Sequence, residues 1–448
     1  MANTLTVARR FLTCSAAGLL TLASAGIHAS SFALIEQSVN GMGSAYAIGS
    51  AGIDDASTVY FNPAGMSRLP GSHLNGGLQV VHSNVDFDGS AEYSQFSGIA
   101  IDPGLPGTPI SGKQKTDADL TAAVPSGYIS HQYSDRVWFG FGVNAPFGLK
   151  TDYADDNWVG RYHAIKSELY TYNFNPSIAF KITKHATIGF GVSALYADGE
   201  LTNDLDAGLA AGAIGAGQND LRSKLTGDDW GYGYNGGLML EPTENTRFGF
   251  HYRSKIDLTL DGRAKITGST SFKENAKLDV TLPDTLSVSG YHAFNSHWAM
   301  MADITWTQWS RIKSLKTKLD DGQQSVAVWD YDDSTRYALG VEYKHDKTWT
   351  LRSGVALDQT PVPNDNLRSP RVPDEDRIWL SLGATYRYSP EITFDVGYAH
   401  LFVNDPKLDN VSDNYDPTTG ATTGLHSLSG DYDASVDIVG IAVNWKFR

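Results

Sequence analysis

The chain has 448 residues, a single cysteine, 45 glycines and a formal net charge of −15. Its mean hydropathy is −0.27, and beyond the N-terminus no apolar run approaches the ~20 residues of a spanning helix, which excludes a polytopic helical membrane protein. The acidic balance argues against a nucleic-acid partner, which calls for a basic face. With 41% hydrophobic residues and 11% aromatics the chain is too apolar for disorder, so a globular protein or a membrane β-barrel remains.

Arg9 and Arg10 precede an apolar stretch from Phe11 to Ala25, followed by small residues. A positive start, an apolar run and a small-residue cleavage zone make a secretory signal peptide. Cleavage after Ala29 or after Ala25 fits the rule; Ala29 is preferred, so residues 1–29 are read as the signal. Cys14 lies inside the apolar run without the small residues that precede a lipoprotein cysteine. Cleavage leaves no thiol, and hence no disulfide, cysteine nucleophile or thiolate metal site.

Residues 30–71 do not read as a strand pair. They mix Gly41, Gly43, Gly49 and Gly52 with Asp54, Asp55 and Asn62-Pro63-Ala64-Gly65. From residue 72 onward the pattern has period two. Val137, Phe139, Phe141 and Val143 alternate with Trp138, Gly140, Gly142 and Asn144; Ile188, Phe190, Val192 and Tyr196 alternate with small or polar residues; the same holds near 378–386 and 392–398. In a soluble sandwich the apolar face is the core; in a membrane barrel it faces lipid and the polar face lines the lumen.

Connection lengths separate the two. Short turns fall at Ser134-Asp135, Thr183-Lys184, Pro242-Thr243-Glu244, Asn295-Ser296, His345-Asp346 and Ser389-Pro390. Long polar connections lie near 86–120, 147–167, 200–227, 260–277, 312–334, 359–376 and 403–430. Six short and seven long connections give fourteen strands, with loop lengths segregated to opposite rims as in outer-membrane barrels. The reading is all-β: a 14-stranded antiparallel transmembrane β-barrel over 72–448, in the bacterial outer membrane. The last strand alternates Val439, Ile441, Val443, Trp445 and Phe447 with small and polar residues. Arg448 then follows the aromatic residue that the barrel assembly machinery, an expected partner, reads at the terminus. A fourteen-stranded lumen is wide enough for a small plug made of 30–71; the alternative is a loose periplasmic tail.

Several motifs bear on function. Loop 200–227 carries Leu205, Leu209, Ile214 and several alanines, unusually apolar for a solvent loop; such patches mark binding or membrane surfaces, here substrate capture, self-packing or contact with lipopolysaccharide and outer-membrane lipid. Arg247, Arg253, Arg336, Glu342, Arg352, Arg377, Arg387 and Asp395 fall on polar faces and are expected mostly to pair with one another. Arg161 and Arg352 are candidates for a charge-assisted contact with a carboxylate ligand, Arg161 because Gly160-Arg161-Tyr162 sits at a loop-to-strand boundary. Gly231-Tyr232-Gly233-Tyr234-Asn235-Gly236 fits GxGxxG but lies in an alternating strand with no helix after it, so the dinucleotide reading fails. Asp405, Asp409, Asp413 and Asp416 match no calcium loop. The twelve histidines show no zinc spacing and no nucleophile motif is present, so neither metal, cofactor nor enzymatic activity is expected.

The segments Ser31-Phe32-Ala33-Leu34-Ile35-Glu36-Gln37, Gly41-Met42-Gly43-Ser44-Ala45-Tyr46-Ala47, Asp54-Asp55-Ala56-Ser57 and Asn62-Pro63-Ala64-Gly65-Met66 resemble the FadL/TodX family of outer-membrane transporters. The resemblance continues through Pro146-Phe147-Gly148-Leu149, Trp158-Val159-Gly160-Arg161-Tyr162, Leu282-Pro283-Asp284, Trp306-Thr307-Gln308-Trp309-Ser310 and Pro373-Asp374-Glu375-Asp376-Arg377. It covers essentially the whole mature chain. It implies passive uptake of long-chain fatty acids or other hydrophobic compounds, with aromatic or alkane hydrocarbons as alternative substrates. It further implies that 30–71 is a hatch inside the barrel, with Asn62, Pro63 and Ala64 beside the substrate path. Capture at apolar extracellular loops and lateral exit through a gap in the wall belong to the same expectation. A general porin or a structural barrel is the remaining alternative.

Overall fold

The computed structural model describes residues 31–447, apart from 94–95, 98–99, 102–107, 155, 207–219, 269–270 and 413–425. The expected signal peptide, Leu209, Ile214, Asp413 and Asp416 lie outside the described residues.

Fourteen strands form the wall: β1 (Ser72–Tyr93), β2 (Leu120–Ser134), β3 (Val137–Asn144), β4 (Lys166–Thr183), β5 (Ala186–Leu205) and β6 (Leu221–Thr243). β7 runs through Thr246–Arg253 and Ile256–Thr267, and β8 through Phe272–Leu282 and Thr285–Ala293. The rest are β9 (Trp298–Thr307), β10 (Ser334–Lys344), β11 (Trp349–Asp358), β12 (Arg377–Arg387), β13 (Ile392–Val403) and β14 (His426–Phe447). Each strand pairs antiparallel with the next, and β1 closes on β14 from Ser72↔Phe447 to Tyr93↔His426. Closure joins the first and last strands, as the low tolerance of a bilayer for exposed sheet edges requires.

All six short turns fall where expected. The connection expected at 260–277 is instead mostly strand, since Arg263 pairs with Asn275 and Ile266 with Phe272. β1, β5, β6 and β14 likewise run well past the apolar band. Their outer turns alternate without a large apolar face, which reads as loop in sequence yet satisfies its backbone by pairing.

The outward side chains are apolar and exposed: Phe190 is 53%, Val192 58%, Ile378 49%, Leu382 54% and Ile441 58% accessible. Their strand neighbours Gly189, Gly191, Trp379, Ser381 and Ala442 face inward and are buried. Aromatic pairs sit near the short-turn rim, among them Trp349 with Tyr386 at 4.8 Å and Trp298 with Tyr343 at 4.5 Å. An exposed apolar band edged by aromatic rings is the lipid face of a barrel.

Residues 31–70 fill the lumen. The segment contains two one-turn helices, α1 (Val39–Met42) and α2 (Thr58–Phe61), and short 3₁₀ turns at Gly49–Ala51 and Pro63–Arg68. Met42, Ala45, Ile53, Val59, Ala64 and Met66 are completely buried. Along its length the segment meets Gly140 of β3, Gly189 of β5, Gly249 of β7, Gly354 of β11 and Gly383 of β12. Only the inside of a closed ring lets so short a chain touch strands so widely separated. These wall positions admit no side chain: a Cβ on Gly249 would fall on the carbonyl of Ser50, and one on Gly354 on that of Ser44.

Candidate functional site: a luminal plug and an apolar cleft

The plug is held by polar contacts. Asn62 caps the turn after it, accepting from the Ala64 N–H at 3.0 Å, while its amide donates to the carbonyls of Ser50 (2.7 Å) and Leu238 (3.2 Å). Pro63 takes the first position of that turn, where its missing N–H is no loss, and Ala64 lies against Gly189. The Asn-Pro-Ala step therefore pins the end of the plug to β5 and β6.

The inward arginines were expected mainly to pair with acidic residues of the wall. Arg352 does so, with Glu342 at 2.9 Å, and Arg377 with Asp358 at 3.3 Å. Three others serve the plug instead. Arg247 donates to the carbonyl of Ala51 (2.8 Å), Arg253 to that of Tyr60 (2.9 Å) and Arg336 to that of Ala45 (2.8 Å). Arg253 also lies over the Tyr60 ring at 4.4 Å. The physical reason is that one-turn helices leave most of their carbonyls unpaired, and a guanidinium satisfies them. Arg387 is exposed.

Glu36 is 1% exposed, and neither carboxylate oxygen reaches a partner beyond its own backbone. Burial pushes its carboxyl up to about 7, although Arg377 and Arg336 oppose the shift and Asp358 adds to it.

The wall is interrupted between β2 and β3. β2 pairs with β3 only from Gly127 to Ser134, while Leu120–Ser126 pairs with β1 alone. After Asn144 the chain breaks at Ala145-Pro146, and Gly148–Asp152 then pairs with β4. Among the described residues no ladder joins 120–126 to 148–152. Against this break lies the start of the plug. Leu34 N–H donates to the Pro146 carbonyl (2.8 Å), Gly148 N–H to that of Phe32 (2.9 Å), and the Gln37 amide to that of Ala145 (2.7 Å).

Above the plug, towards the long-loop rim, lies a partly open cleft. Phe32 forms its floor, and Leu169, Leu201, Leu260, Leu278 and Trp329 are among its walls. The lining is overwhelmingly apolar, as in small-molecule sites. Glu168 and Glu200 also border it, each held by lysines: Lys166 and Glu168 at 2.9 Å, Lys224 and Glu200 at 2.7 Å. From loop 359–376 Arg371 reaches the same cleft, and burial lowers its pKa to about 10, still charged at neutral pH.

Arg161 sits elsewhere, under the extracellular loops. It is 3% exposed, pairs with Asp220 at 3.0 Å and donates to the Ser111 carbonyl at 2.8 Å. Its neighbour Tyr162 also donates to Asp220. Arg161 thus ties loop 145–165 to two other loops. Arg352 lies beside Gly43 of the plug. The structure does not bring Asn62, Arg161 and Arg352 into one site. It adds Phe32, from the first of the resembling segments, and Leu260, Trp329 and Arg371, which no local motif in the sequence marks.

Residues 20–447 match the family described as outer membrane protein transport protein (OMPP1/FadL/TodX). The chain belongs to this family. Outer membrane protein P1 of Haemophilus influenzae is 31% identical over 459 residues, covering 96% of this chain and 97% of that protein. The long-chain fatty acid transport protein of Escherichia coli O6:H1 (strain CFT073) is 30% identical over 401 residues, covering 83% and 86%. Among solved structures, a FadL homologue of Pseudomonas aeruginosa superposes with a TM-score of 0.83 at 25% identity, covering 93% of this chain and all of that one. The toluene transporter TodX of Pseudomonas putida has the same fold, with a TM-score of 0.67 at 17% identity, covering 93% and 99%. The protein is an outer-membrane transport barrel.

Proposed function

We propose that this protein admits long-chain fatty acids through the outer membrane by passive diffusion along an apolar route, with 31–70 acting as a hatch. The observation that carries the reading is the apolar cleft seated directly on the plug, floored by Phe32. Immersing a hydrocarbon chain in a water-filled pore costs ~25 cal/mol per Å² of apolar surface. An apolar cleft between the loops and the plug removes that cost. Capture at the extracellular loops, including the stretch around Leu209 and Ile214, precedes entry. Displacement of Phe32 and Leu34 from the break after β3 releases the substrate sideways. The named relative from E. coli supports fatty acids as the substrate class.

No chemical step is required by this route, so the reading is a channel and not an enzyme. Outer-membrane lipid and lipopolysaccharide are the partners of the apolar band, and the barrel assembly machinery is the partner in folding it. Neutral hydrocarbons are the second reading, favoured by the near-complete apolarity of the cleft wall.

Uptake of radiolabelled oleate by cells lacking their own transporter, with and without this protein, tests the proposal. Restored uptake is expected. A folded barrel that restores toluene uptake but not oleate uptake would move the assignment to hydrocarbons.

A further inference from the structure

The charged groups around the cleft are unequal. Its carboxylates are neutralised by lysines, as described, and the buried arginines elsewhere each meet a carboxylate or cap a plug carbonyl. Arg371 does neither. Its guanidinium donates to the Ser167 hydroxyl (3.0 Å), the Lys166 carbonyl (3.3 Å), the Asn203 side-chain oxygen (3.3 Å) and the Thr202 carbonyl (3.4 Å). All four acceptors are neutral, and three of the bonds are long. Among the described residues no carboxylate lies within ion-pairing distance of it.

The backbone beside it is fixed. The Arg371 carbonyl accepts from the Thr151 hydroxyl, and that of Pro370 from the Tyr153 hydroxyl, both at 2.8 Å. The charge is therefore presented to the cleft from an anchored loop. A part-buried guanidinium without an anion leaves its charge incompletely compensated, and a ligand that brings one carboxylate on a long apolar chain relieves it while filling the apolar space. A neutral hydrocarbon of equal length fills the space and leaves the charge bare.

We propose that Arg371 is the head-group counter-ion of the cleft and the residue that makes it select an anionic amphiphile over a neutral chain of the same length. This rests on the cleft being the substrate site. The planar fork of arginine suits a carboxylate better than the point charge of lysine.

The test compares binding of oleate and oleyl alcohol, which share a tail and differ in charge, to the purified full-length protein in nanodiscs. Wild type is expected to prefer oleate. Arg371→Gln is expected to weaken oleate binding by roughly tenfold or more, the scale of a charge-assisted hydrogen bond, and oleyl alcohol by less than about twofold. Arg371→Lys should recover part of the oleate affinity. Leu260→Trp, which fills the cleft, should weaken both ligands together. Equal losses of both ligands in Arg371→Gln, with heat-modifiable migration unchanged, would overturn the head-group role and leave the cleft reading standing. Tight binding of both ligands that Leu260→Trp leaves untouched would overturn the cleft reading and this inference with it.

Discussion

Glu36 gives the plug a pH dependence whose sign follows from its surroundings. It faces Arg336 of β10, Asp358 of β11, Arg377 of β12 and Tyr46 of the plug itself. Burial outweighs the two cations and lifts the carboxyl from 4.5 to about 7. A plug released into water returns Glu36 to its ordinary value, so docking takes up a proton. The docked state then keeps its full stability below pH ~4.5 and loses it progressively as pH rises towards 7, beyond which the curve is flat. At 1.36 kcal/mol per pKa unit, the shift amounts to about 3 kcal/mol across that window. Glu36→Gln preserves the shape and removes the ionisation, so the variant should dock equally well at pH 5 and pH 8. Hydrogen exchange of amides 38–48 in the folded barrel, corrected for intrinsic pH dependence, reads the difference. Wild type should lose protection by up to two orders of magnitude between pH 5 and 8, and Glu36→Gln should not. A flat wild-type profile, or the same slope in Glu36→Gln, would refute the reasoning.

Gly354→Val places a side chain where the Ser44 backbone sits; the barrel should still assemble, since the wall ladder is untouched, but bilayer conductance should rise as the plug is displaced. Asn62→Ala loses the bonds to Ser50, Leu238 and Ala64, about 1–3 kcal/mol for the buried groups left unpaired; oleate uptake should fall with normal heat-modifiable migration. Ala33 and Phe147 are directly opposed in an antiparallel bridge, at a separation a disulfide spans. The double variant Ala33→Cys/Phe147→Cys should block uptake when oxidised and recover it on reduction; unimpeded uptake in the oxidised form would remove lateral release from the proposal.

The wall was legible because its rules are local. Period-two alternation needs only neighbouring residues, and turn chemistry marks each reversal, so all six short turns are found from sequence. The outer halves of β7 and β8 were not, because polar, glycine-containing segments such as Asp261–Lys265 look like loop until a partner strand supplies the hydrogen bonds. The plug's contacts left one overlooked trace. Inward positions of distant strands carry glycine at 140, 189, 249, 354 and 383, more than lumen polarity alone demands. Arg371 left none, for its significance depends on residues near 151, 167 and 203 meeting it in space.

The contacts that seat the plug differ in kind from those that build the wall, and the difference bears on release. A core locked by interdigitated apolar chains resists partial movement, because any gap loses both transfer free energy and packing. Here the plug shares a buried apolar cluster with wall residues such as Met301 and Trp379, but several strands approach it through glycine, and Asn62, Arg247, Arg253 and Arg336 add hydrogen bonds. Such bonds have a modest net worth in a site that water can enter, since water replaces each lost partner. Its first residues lie on the broken stretch of wall, where Phe32 contacts both Phe147 and the cleft. A substrate that displaces Phe32 therefore disturbs the seal over the break before it disturbs the glycine-lined seat. On the proposed lateral route, the apolar floor of the cleft and the residues against the break are one element, Phe32, so occupancy of the cleft would be coupled to opening of the wall without moving the whole plug.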